Sequence, residues 1–342
     1  MRVGILSGGG DAPGTNAVIR AVVRKGTREY NDVFVGIKDG WRGLMEGSFL
    51  PLNLERTSGI LTLGGSILGF SRTNPFKHKE GVETVLKNFK KASLDALIVI
   101  GGDDTLTVAY KIGALGLNCV GVPKTIDNDL SGTDYTFGFN TAVSIATETL
   151  DRLHSTAEAH HRVMILEVMG RYTGWIAIAA GIAGGADAIL IPEKPFSIAE
   201  ICKYIKCRQD RGRNFSLIVV AEGTKPEGGK EVLYGENADE FGNVRFGGIG
   251  YWLGKEIEKS MEIETRVVVL GHLQRGGTPT AFDRILATRF GISAIDLVHN
   301  KEFGKMVAIR GNKILSVELK DIIGKRKTAS LELIDVAKVF FG

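Results

Sequence analysis

Six short, largely apolar runs, each followed at once by glycine or by a polar cluster, restrict the fold of this sequence more than any other feature. They lie at residues 3–6, 96–100, 119–122, 163–168, 217–221 and 267–270. Runs that are apolar throughout, rather than alternating with polar residues, are typical of strands covered on both faces in a parallel sheet. The residues that follow each run are typical of turns. The six runs therefore predict six buried strands with turns at their carboxyl ends.

Helical segments are predicted between these strands, for example at residues 16–25, 105–115, 140–159 and 198–209. An alternation of strands and helices favours doubly wound α/β sheets, in which ligands bind outside the carboxyl ends of the strands. Three predicted strands precede position 138 and three follow it. We therefore expect two similar three-layer (αβα) domains with mainly parallel sheets. The segment 224–248, rich in Gly, Glu and Asn, is predicted to be a surface excursion.

Length and composition exclude several classes of protein. A chain of 342 residues is long enough for two domains. Its net charge is +4, and the one dense basic run, at 324–327, is too small for a nucleic-acid footprint. The 3 cysteines lack metal-ligand spacing and imply no disulfide framework. No window approaches ~18 consecutive apolar residues, so we expect a cytoplasmic protein without membrane or nucleic-acid partners.

A glycine-rich segment, SGGGDAPGTN at residues 7–16, joins the first predicted strand to the first helix. Glycines there let backbone N–H groups approach an anion such as phosphate at the helix N-terminus. The segment is not a Walker A loop, since Thr15 and Asn16 stand where Lys and Ser/Thr would be, and Pro13 breaks the dinucleotide-binding fingerprint. Packing of a tight turn remains the alternative interpretation.

Two adjacent carboxylates, Asp103 and Asp104, follow the second strand. Beside a phosphate they would repel it unless a divalent cation lay between them, and Mg²⁺ held by one or two carboxylates plus substrate phosphates is the usual arrangement. The alternative is that one of the two only caps the helix predicted to begin at Thr105.

The third strand ends in a turn that combines Lys124 with Asp127 and Asp129. A carboxylate near a substrate hydroxyl can accept its proton as the oxygen attacks phosphorus, and a lysine can offset charge on the transferred or departing phosphate. This turn is therefore a candidate centre for phosphoryl transfer.

The second half of the chain is richer in cations at strand boundaries. A guanidinium group can form bidentate hydrogen bonds with a phosphate monoester. A lone arginine is more often a solvent-exposed surface residue. With Glu222 available for hydroxyl groups, the set predicts a sugar-phosphate cradle built from Arg162, Arg171, Arg266, His272 and Arg275. We interpret His154, His160 and His161 as structural or surface residues rather than metal ligands.

Together these segments resemble the phosphofructokinase family over nearly the whole chain and in the family's order. The matching motifs are 8–14 (GGGDAPG), 101–103 (GGD), 125–129 (TIDND), 169–171 (MGR), 221–223 (AEG) and 270–277 (LGHLQRGG). The resemblance implies transfer of a phosphoryl group to O1 of fructose 6-phosphate, giving fructose 1,6-bisphosphate. It also implies a homodimer or homotetramer in which the equivalents of Arg162 and Arg266 reach into a neighbouring subunit's site.

The resemblance assigns roles by position. It implies a donor-binding domain at 1–138 plus about 274–321 and a fructose 6-phosphate domain at 139–273 plus about 322–342. Asp127 corresponds to the base on the 1-hydroxyl, Asp103 and Asp129 to the Mg²⁺ carboxylates, and Gly10 and Arg72 to donor-phosphate contacts. The implied substrate-binding residues are Thr125, Ile126, Asp127, Arg162, Met169, Gly170, Arg171, Glu222, Arg266, His272, Leu273, Gln274 and Arg275.

Two charged positions bear on the phosphoryl donor. ATP-using relatives usually carry glycine at the positions of Asp104 and Lys124, and both are charged here. Like charges about 4 Å apart repel by roughly 1 to 4 kcal/mol, so an ATP α-phosphate near Asp104 is disfavoured, whereas Lys124 can pair with a leaving phosphate. The chain thus resembles the diphosphate-dependent branch, with Asp104 and Lys124 as part of the catalytic machinery. The alternatives are an ATP-dependent form and a non-catalytic sugar-phosphate sensor.

Regulation is expected to be weak or absent. Ala21 and His154 stand where allosteric bacterial members of the family tend to have arginine in the effector site.

Overall fold

A computed structural model describes residues 1–233, 239–244 and 246–342. The described chain divides into two compact units. Unit 1 consists of Met1–Asn140, Asp239–Asn243 and Arg275–Arg326. Unit 2 consists of the described residues of Thr141–Ala238 and Val244–Gln274, together with Lys327–Gly342. Each unit is built on its own sheet.

Strands and helices alternate along most of the described chain. In chain order the elements are β1 (Arg2–Ser7), α1 (Thr15–Glu29), β2 (Val33–Ile37), α2 (Gly40–Glu46), β3 (Phe49–Leu52), α3 (Gly81–Lys91), β4 (Ala96–Gly101), α4 (Asp103–Gly113), β5 (Cys119–Thr125), β6 (Phe137–Gly138), α5 (Phe139–His160), β7 (Val163–Val168), α6 (Trp175–Ala183), β8 (Ala188–Leu190), α7 (Ile198–Asp210), β9 (Ser216–Ala221), α8 (Ile249–Met261), β10 (Thr265–Val269), α9 (Ala281–His299), β11 (Lys305–Arg310), β12 (Lys313–Glu318), α10 (Leu319–Ile322) and α11 (Leu331–Lys338). Short 3-10 helices lie at Ile60–Thr62, Pro75–Lys77 and Gly271–Arg275.

In unit 1 the described strands form an eight-stranded sheet in the order β12-β11-β5-β4-β1-β2-β3, with β6 paired to β5. The pairs among β2, β1, β4, β5 and β11 are parallel, and the edge strands β3 and β12 are antiparallel to their neighbours. Alternate side chains enter opposite hydrophobic layers: Ile5 packs with Val22 of α1 and Phe290 of α9, whereas Leu6 packs with Leu106 of α4. The sheet is therefore covered on both faces.

In unit 2 the described strands form a four-stranded, all-parallel sheet in the order β10-β7-β9-β8. Ile165 of β7 and Ile218 of β9 share a buried cluster with Ile201 of α7 and Leu253 of α8. Helix α6 packs on β8 and β9. The predicted α/β class with mainly parallel sheets is confirmed, and the carboxyl ends of β10, β7 and β9 lie side by side.

Several elements differ from the sequence-based expectation. All six predicted strands are present, but the strands β2, β3, β6, β8, β11 and β12 were not predicted. Helix α4 begins at Asp103 with Gly102 at its N-cap position, so the alternative interpretation, that Asp103 or Asp104 only caps a helix starting at Thr105, is wrong. Of the helices in the described parts of the chain, none is long and apolar enough to cross a membrane.

The expected surface excursion at 224–248 falls partly on residues 234–238 and 245, which lie outside the described residues. Of its described part, Leu233 and Phe246 form an antiparallel bridge. Phe241 is partly buried against the core of unit 1 that contains Leu44, Leu106 and Leu130. The prediction of a purely surface segment is therefore wrong for Phe241.

Candidate active site

The glycine-rich segment forms the loop between β1 and α1 of unit 1. A Cβ atom on Gly8 would lie 2.8 Å from the Thr105 side chain, and one on Gly10 would lie 2.8 Å from Nη1 of Arg275. Nη1 of Arg275 donates a hydrogen bond to the carbonyl oxygen of Asp11 at 3.0 Å. Glycine at these positions thus lets a helix and a guanidinium group approach the loop backbone. Packing explains Gly8, whereas Gly10 lies against a buried cation.

Lys124, near the end of β5, brings a second cation to this loop. Its ammonium group donates a hydrogen bond to the carbonyl oxygen of Gly10 and lies 5.3 Å from the centre of the Phe70 ring. The side chain is buried, and burial together with the nearby charge of Arg275 lowers the pKa of Lys124 to about 7, against the opposing charges of Asp11 and Asp127. An anion bound at this loop would therefore favour the protonated, charged form of Lys124.

Three carboxylates lie at the carboxyl ends of β4 and β5. Asp103 opens α4, and Asp127 and Asp129 follow β5. Burial, and after it the negative charge of Asp127, raise the pKa of Asp129 to about 7, while Arg326 opposes the shift. Desolvation likewise raises the pKa of Asp103. Repulsion of this kind is relieved by a cation, so the carboxylates suit a hard divalent metal ion.

The same carboxylates do not make a complete metal cage. Within residues 1–233, 239–244 and 246–342, no three His, Cys, Asp or Glu side chains are grouped so that they could hold a metal ion by themselves. Mg²⁺ is commonly held by one or two carboxylates and completes its shell with water and substrate phosphate oxygens. The donor set at Asp103 and Asp129 fits that mode of binding.

Asn128 holds the turn between these carboxylates and was missed by the sequence analysis. It is buried with φ = +51°, a left-handed conformation that asparagine tolerates better than most residues. Its Oδ1 accepts the backbone N–H of Thr136 at 3.0 Å, and its Nδ2 donates to the carbonyl of Asp134 at 3.3 Å. The available signal was the Asp-Asn-Asp triplet itself, since asparagine between two acids is typical of turns.

Asp104 and Arg72 are linked to a segment far away in the sequence. Nδ2 of Asn243 donates a hydrogen bond to Oδ2 of Asp104 at 2.8 Å. Nη1 of Arg72 lies 3.5 Å from Oδ2 of Asp239. The sequence carried no signal for these contacts, because the partners are separated by 139 and 167 positions.

In unit 2, most of the predicted sugar-binding residues follow β7, β9 and β10. Met169, Gly170 and Arg171 follow β7, Glu222 follows β9, and His272, Leu273 and Gln274 belong to the 3-10 turn after β10. The backbone N–H of Arg171 donates to Oε1 of Glu222 at 3.2 Å. Because these three strands are neighbours in a parallel sheet, the structure brings their following residues to one edge.

Arg162 and Arg266 lie near the amino-terminal ends of the strands of that sheet, opposite the ends that carry Arg171 and His272. Arg162 immediately precedes β7, Arg266 is the second residue of β10, and both pair with the carboxylate of Glu264. A strand of five or six residues is about 16 to 20 Å long, so these two arginines do not join Arg171 and His272 within one chain. Within one chain the structure therefore keeps Arg162 and Arg266 apart from Arg171 and His272, and the cradle of five basic side chains stays a prediction. Arg275 lies in unit 1, beside Gly10.

Three histidines of α5 and the turn after it lie apart from these predicted site residues. His154, His160 and His161 are exposed on or just after α5, and His154 contacts the edge of the Phe215 ring at a centroid distance of 5.0 Å. Their interpretation as surface and structural residues agrees with these positions.

The chain has two α/β units. Unit 1 places a buried lysine beside a glycine-rich loop and carboxylates at neighbouring strand ends, which is the arrangement of an enzyme that handles phosphate groups. The family model described as Phosphofructokinase matches residues 2–298. The chain belongs to the phosphofructokinase family.

Named relatives include users of two different donors. The chain is 54% identical to the pyrophosphate–fructose 6-phosphate 1-phosphotransferase of Streptomyces coelicolor and 50% identical to the ATP-dependent 6-phosphofructokinase of Mycobacterium leprae, each over 100% of both chains. The structure of phosphofructokinase from Saccharomyces cerevisiae matches with a TM-score of 0.84 and 30% identity, covering 99% of this chain and 46% of that one. This chain thus spans about half the length of the yeast chain. The predicted phosphofructokinase-like fold is confirmed.

Proposed function

We propose that this protein is a diphosphate-dependent 6-phosphofructokinase. It transfers a phosphoryl group from inorganic diphosphate to O1 of D-fructose 6-phosphate, giving fructose 1,6-bisphosphate and phosphate. The observation that carries this proposal is the buried ammonium group of Lys124 against the carbonyl of Gly10, on the loop that also adjoins Arg275. Cations at this loop suit a compact, highly charged anion.

Two side chains, rather than overall similarity to relatives, support diphosphate as the donor. Identities of 54% and 50% to relatives named for diphosphate and for ATP differ too little to decide between donors. Asp104 places a carboxylate in the first turn of α4, where Asn243 holds it. A nucleotide α-phosphate passing about 4 Å from that carboxylate would lose roughly 1 to 4 kcal/mol to repulsion. Diphosphate has no nucleoside to place there.

The chemical step follows from the roles of the neighbouring side chains. Asp127 accepts the proton of the 1-hydroxyl while that oxygen attacks phosphorus, and the bond from phosphorus to the departing phosphate breaks. Lys124 offsets the charge that builds on the departing phosphate. Mg²⁺ held by Asp103 and Asp129 would neutralise phosphate oxygens. The free energies of the donor anhydride and the product ester are comparable. The reaction therefore runs readily both ways, in glycolysis and in gluconeogenesis.

The two units take separate tasks in this proposal. Unit 1 is the donor and Mg²⁺ domain, and unit 2 is the fructose 6-phosphate domain. Met169, Gly170, Arg171 and Glu222 contact the sugar, and His272, Leu273, Gln274 and Arg275 serve the 6-phosphate end. The location of Arg162 and Arg266 at the amino edge of the unit 2 sheet supports their action in a neighbouring subunit's site. The protein is accordingly a homodimer or homotetramer with shared sites. We place it in the cytoplasm, without nucleic-acid or membrane partners.

Steady-state rates with each donor test the proposal. Purified protein is assayed with fructose 6-phosphate and Mg²⁺ at saturation, varying diphosphate in one series and ATP in the other. The proposal predicts a much larger kcat/KM with diphosphate. A larger kcat/KM with ATP would show that the donor assignment is wrong, and no turnover with either donor would favour a sugar-phosphate sensor.

A further inference from the structure

The segment Asp239–Asn243, here called the donor-side loop, contacts two residues that the proposed function places at the donor. We infer that Asp239 and Asn243 are positioning residues for donor selectivity: they fix the orientation of Asp104 and Arg72 and so set the preference for diphosphate over a nucleotide. The inference rests on the proposed function of this site. It adds a structural element that no motif in the sequence indicated.

Asn243 fixes the carboxylate of Asp104 through its side-chain amide. Its Nδ2 lies 2.8 Å from Oδ2 of Asp104, and the same nitrogen lies 3.2 Å from Oδ1 of Asp239. Asp239 in turn holds the loop's own backbone, since its Oδ1 accepts the N–H groups of Phe241 at 3.1 Å and of Asn243 at 2.9 Å. The side-chain NH₂ group of Asn243 therefore donates hydrogen bonds to the carboxylates of both Asp104 and Asp239. A carboxylate held in this way cannot rotate without losing a charge-assisted hydrogen bond.

Asp239 connects the same loop to the other side of the donor site. Its second oxygen lies 3.5 Å from Nη1 of Arg72, and the Asp239 side chain is only 17% exposed. Arg72 lines an open cavity of about 490 Å³ together with Gly9, Gly10 and Phe70. One aspartate thus links the arginine of this cavity to the amide that orients Asp104.

The donor-side loop has anchors of its own on unit 1. Phe241 packs against the core layer that contains Leu106 of α4. Oε2 of Glu240 accepts the backbone N–H of Asn74 at 2.7 Å and lies 3.2 Å from Nε2 of His78. These contacts fasten the loop without using the side chains of Asp104 and Arg72. The loop therefore acts as a fixed support for the two donor residues, and Glu240 offers a matched control within it.

Loss of this support has a specific consequence. Without the Asn243 amide, the Asp104 carboxylate loses one of the hydrogen bonds that orient it toward an approaching nucleotide, so exclusion of ATP weakens. Without the Asp239 charge, Arg72 loses one of the interactions that align it in the cavity, so diphosphate binding weakens. Both changes lower the ratio of kcat/KM for diphosphate to kcat/KM for ATP. Neither change concerns the residues assigned to the sugar.

The test compares Asn243→Ala, Asn243→Asp and Asp239→Asn with the control Glu240→Gln, all in the full-length protein. We expect the first three to raise the KM for diphosphate and to lower the diphosphate-to-ATP ratio of kcat/KM by about tenfold, the order expected for one charge-assisted hydrogen bond. The KM for fructose 6-phosphate should stay within about twofold of the parent value. Glu240→Gln should retain the parent ratio. Asn243→Asp has the size of asparagine but lacks the Nδ2 donor and repels Asp104, so it should displace the Asp104 carboxylate at least as far as alanine does.

The outcomes separate this inference from the proposed function. Should the parent protein itself prefer ATP, the donor assignment fails regardless of the variants. Should the parent prefer diphosphate while Asn243→Asp and Asp239→Asn keep its KM for diphosphate and its donor ratio, the inference alone is overturned. Thermal unfolding of each variant is measured alongside. If Asn243→Ala is markedly less stable, the two isosteric variants decide the result.

Discussion

The ammonium group of Lys124 donates a hydrogen bond to the carbonyl oxygen of Gly10. The bond joins the carboxyl end of β5 to the loop after β1, across the intervening strand β4. It buries a lysine beside the guanidinium group of Arg275, an arrangement that costs free energy because two cations share a poorly solvated region. A phosphate anion at the loop would relieve that cost, so the pair of Lys124 and Gly10 makes the free protein receptive to an anionic donor.

The first prediction concerns pH. Burial and Arg275 lower the pKa of Lys124 to about 7, so in the free protein this side chain is charged below about pH 7 and becomes neutral above it. We expect kcat/KM for diphosphate to fall as the pH rises through 7 toward 9. Lys124→Met should have a lower kcat/KM and should lose this dependence. Because diphosphate itself titrates, the difference between the two pH profiles is the informative quantity, and identical profiles would contradict the assignment.

The second prediction separates an enzyme from a sugar-phosphate sensor. Asp127→Asn retains the size of the side chain and removes its ability to accept the proton of the 1-hydroxyl. We expect kcat to fall by about 10² to 10⁴, the usual range for loss of a general base. The dissociation constant for fructose 6-phosphate, measured by calorimetry, should change little. Unaltered turnover would remove Asp127 from the chemical step.

The third prediction concerns shared sites. Arg162 and Arg266 lie at the amino edge of the unit 2 sheet, away from Arg171 and His272. If they act in a neighbouring subunit, an Arg162→Ala/Arg266→Ala variant and an Asp127→Asn variant, each nearly inactive, should regain activity when unfolded together and reassembled. For random dimers, one hybrid site in two is intact, which gives about a quarter of parental activity. Mixtures as inactive as their parents would place all these residues in sites made by single chains.

The fourth prediction concerns the stability of unit 2. Glu167 of β7 is buried, and its carboxylate accepts the backbone N–H groups of Gly248 at 2.9 Å and Gly250 at 2.8 Å, at the start of α8. Glu167→Ala leaves these donors without that acceptor and should lower the free energy of unfolding by about 2 to 3 kcal/mol. The helix-surface pair of exposed Lys259 and partly exposed Glu256 provides a control, since Glu256→Ala should cost under about 1 kcal/mol. Urea unfolding of both variants measures the difference.

Local patterns in the sequence were enough to predict the class of fold and much of the candidate site. An all-apolar run such as 96–100 is already the signature of a strand buried on both faces, and the residues after it identify the ligand edge. The same reasoning could have separated the arginines, because Arg162 precedes its run and Arg171 follows one. The donor-side loop was beyond such reasoning. Asn243 meets Asp104 only through the tertiary fold, and no periodicity or spacing encodes a contact across 139 positions.

The proposed preference for diphosphate depends most on the joint action of Asp104 and Lys124. Its most direct measurement is the ratio of kcat/KM for diphosphate to kcat/KM for ATP in the parent protein and in Asp104→Gly/Lys124→Gly, at saturating fructose 6-phosphate. We predict a parent ratio well above one and a fall of roughly 10- to 1000-fold in the double variant, from the repulsion removed and the cation lost. A ratio that the double substitution leaves unchanged would contradict the account.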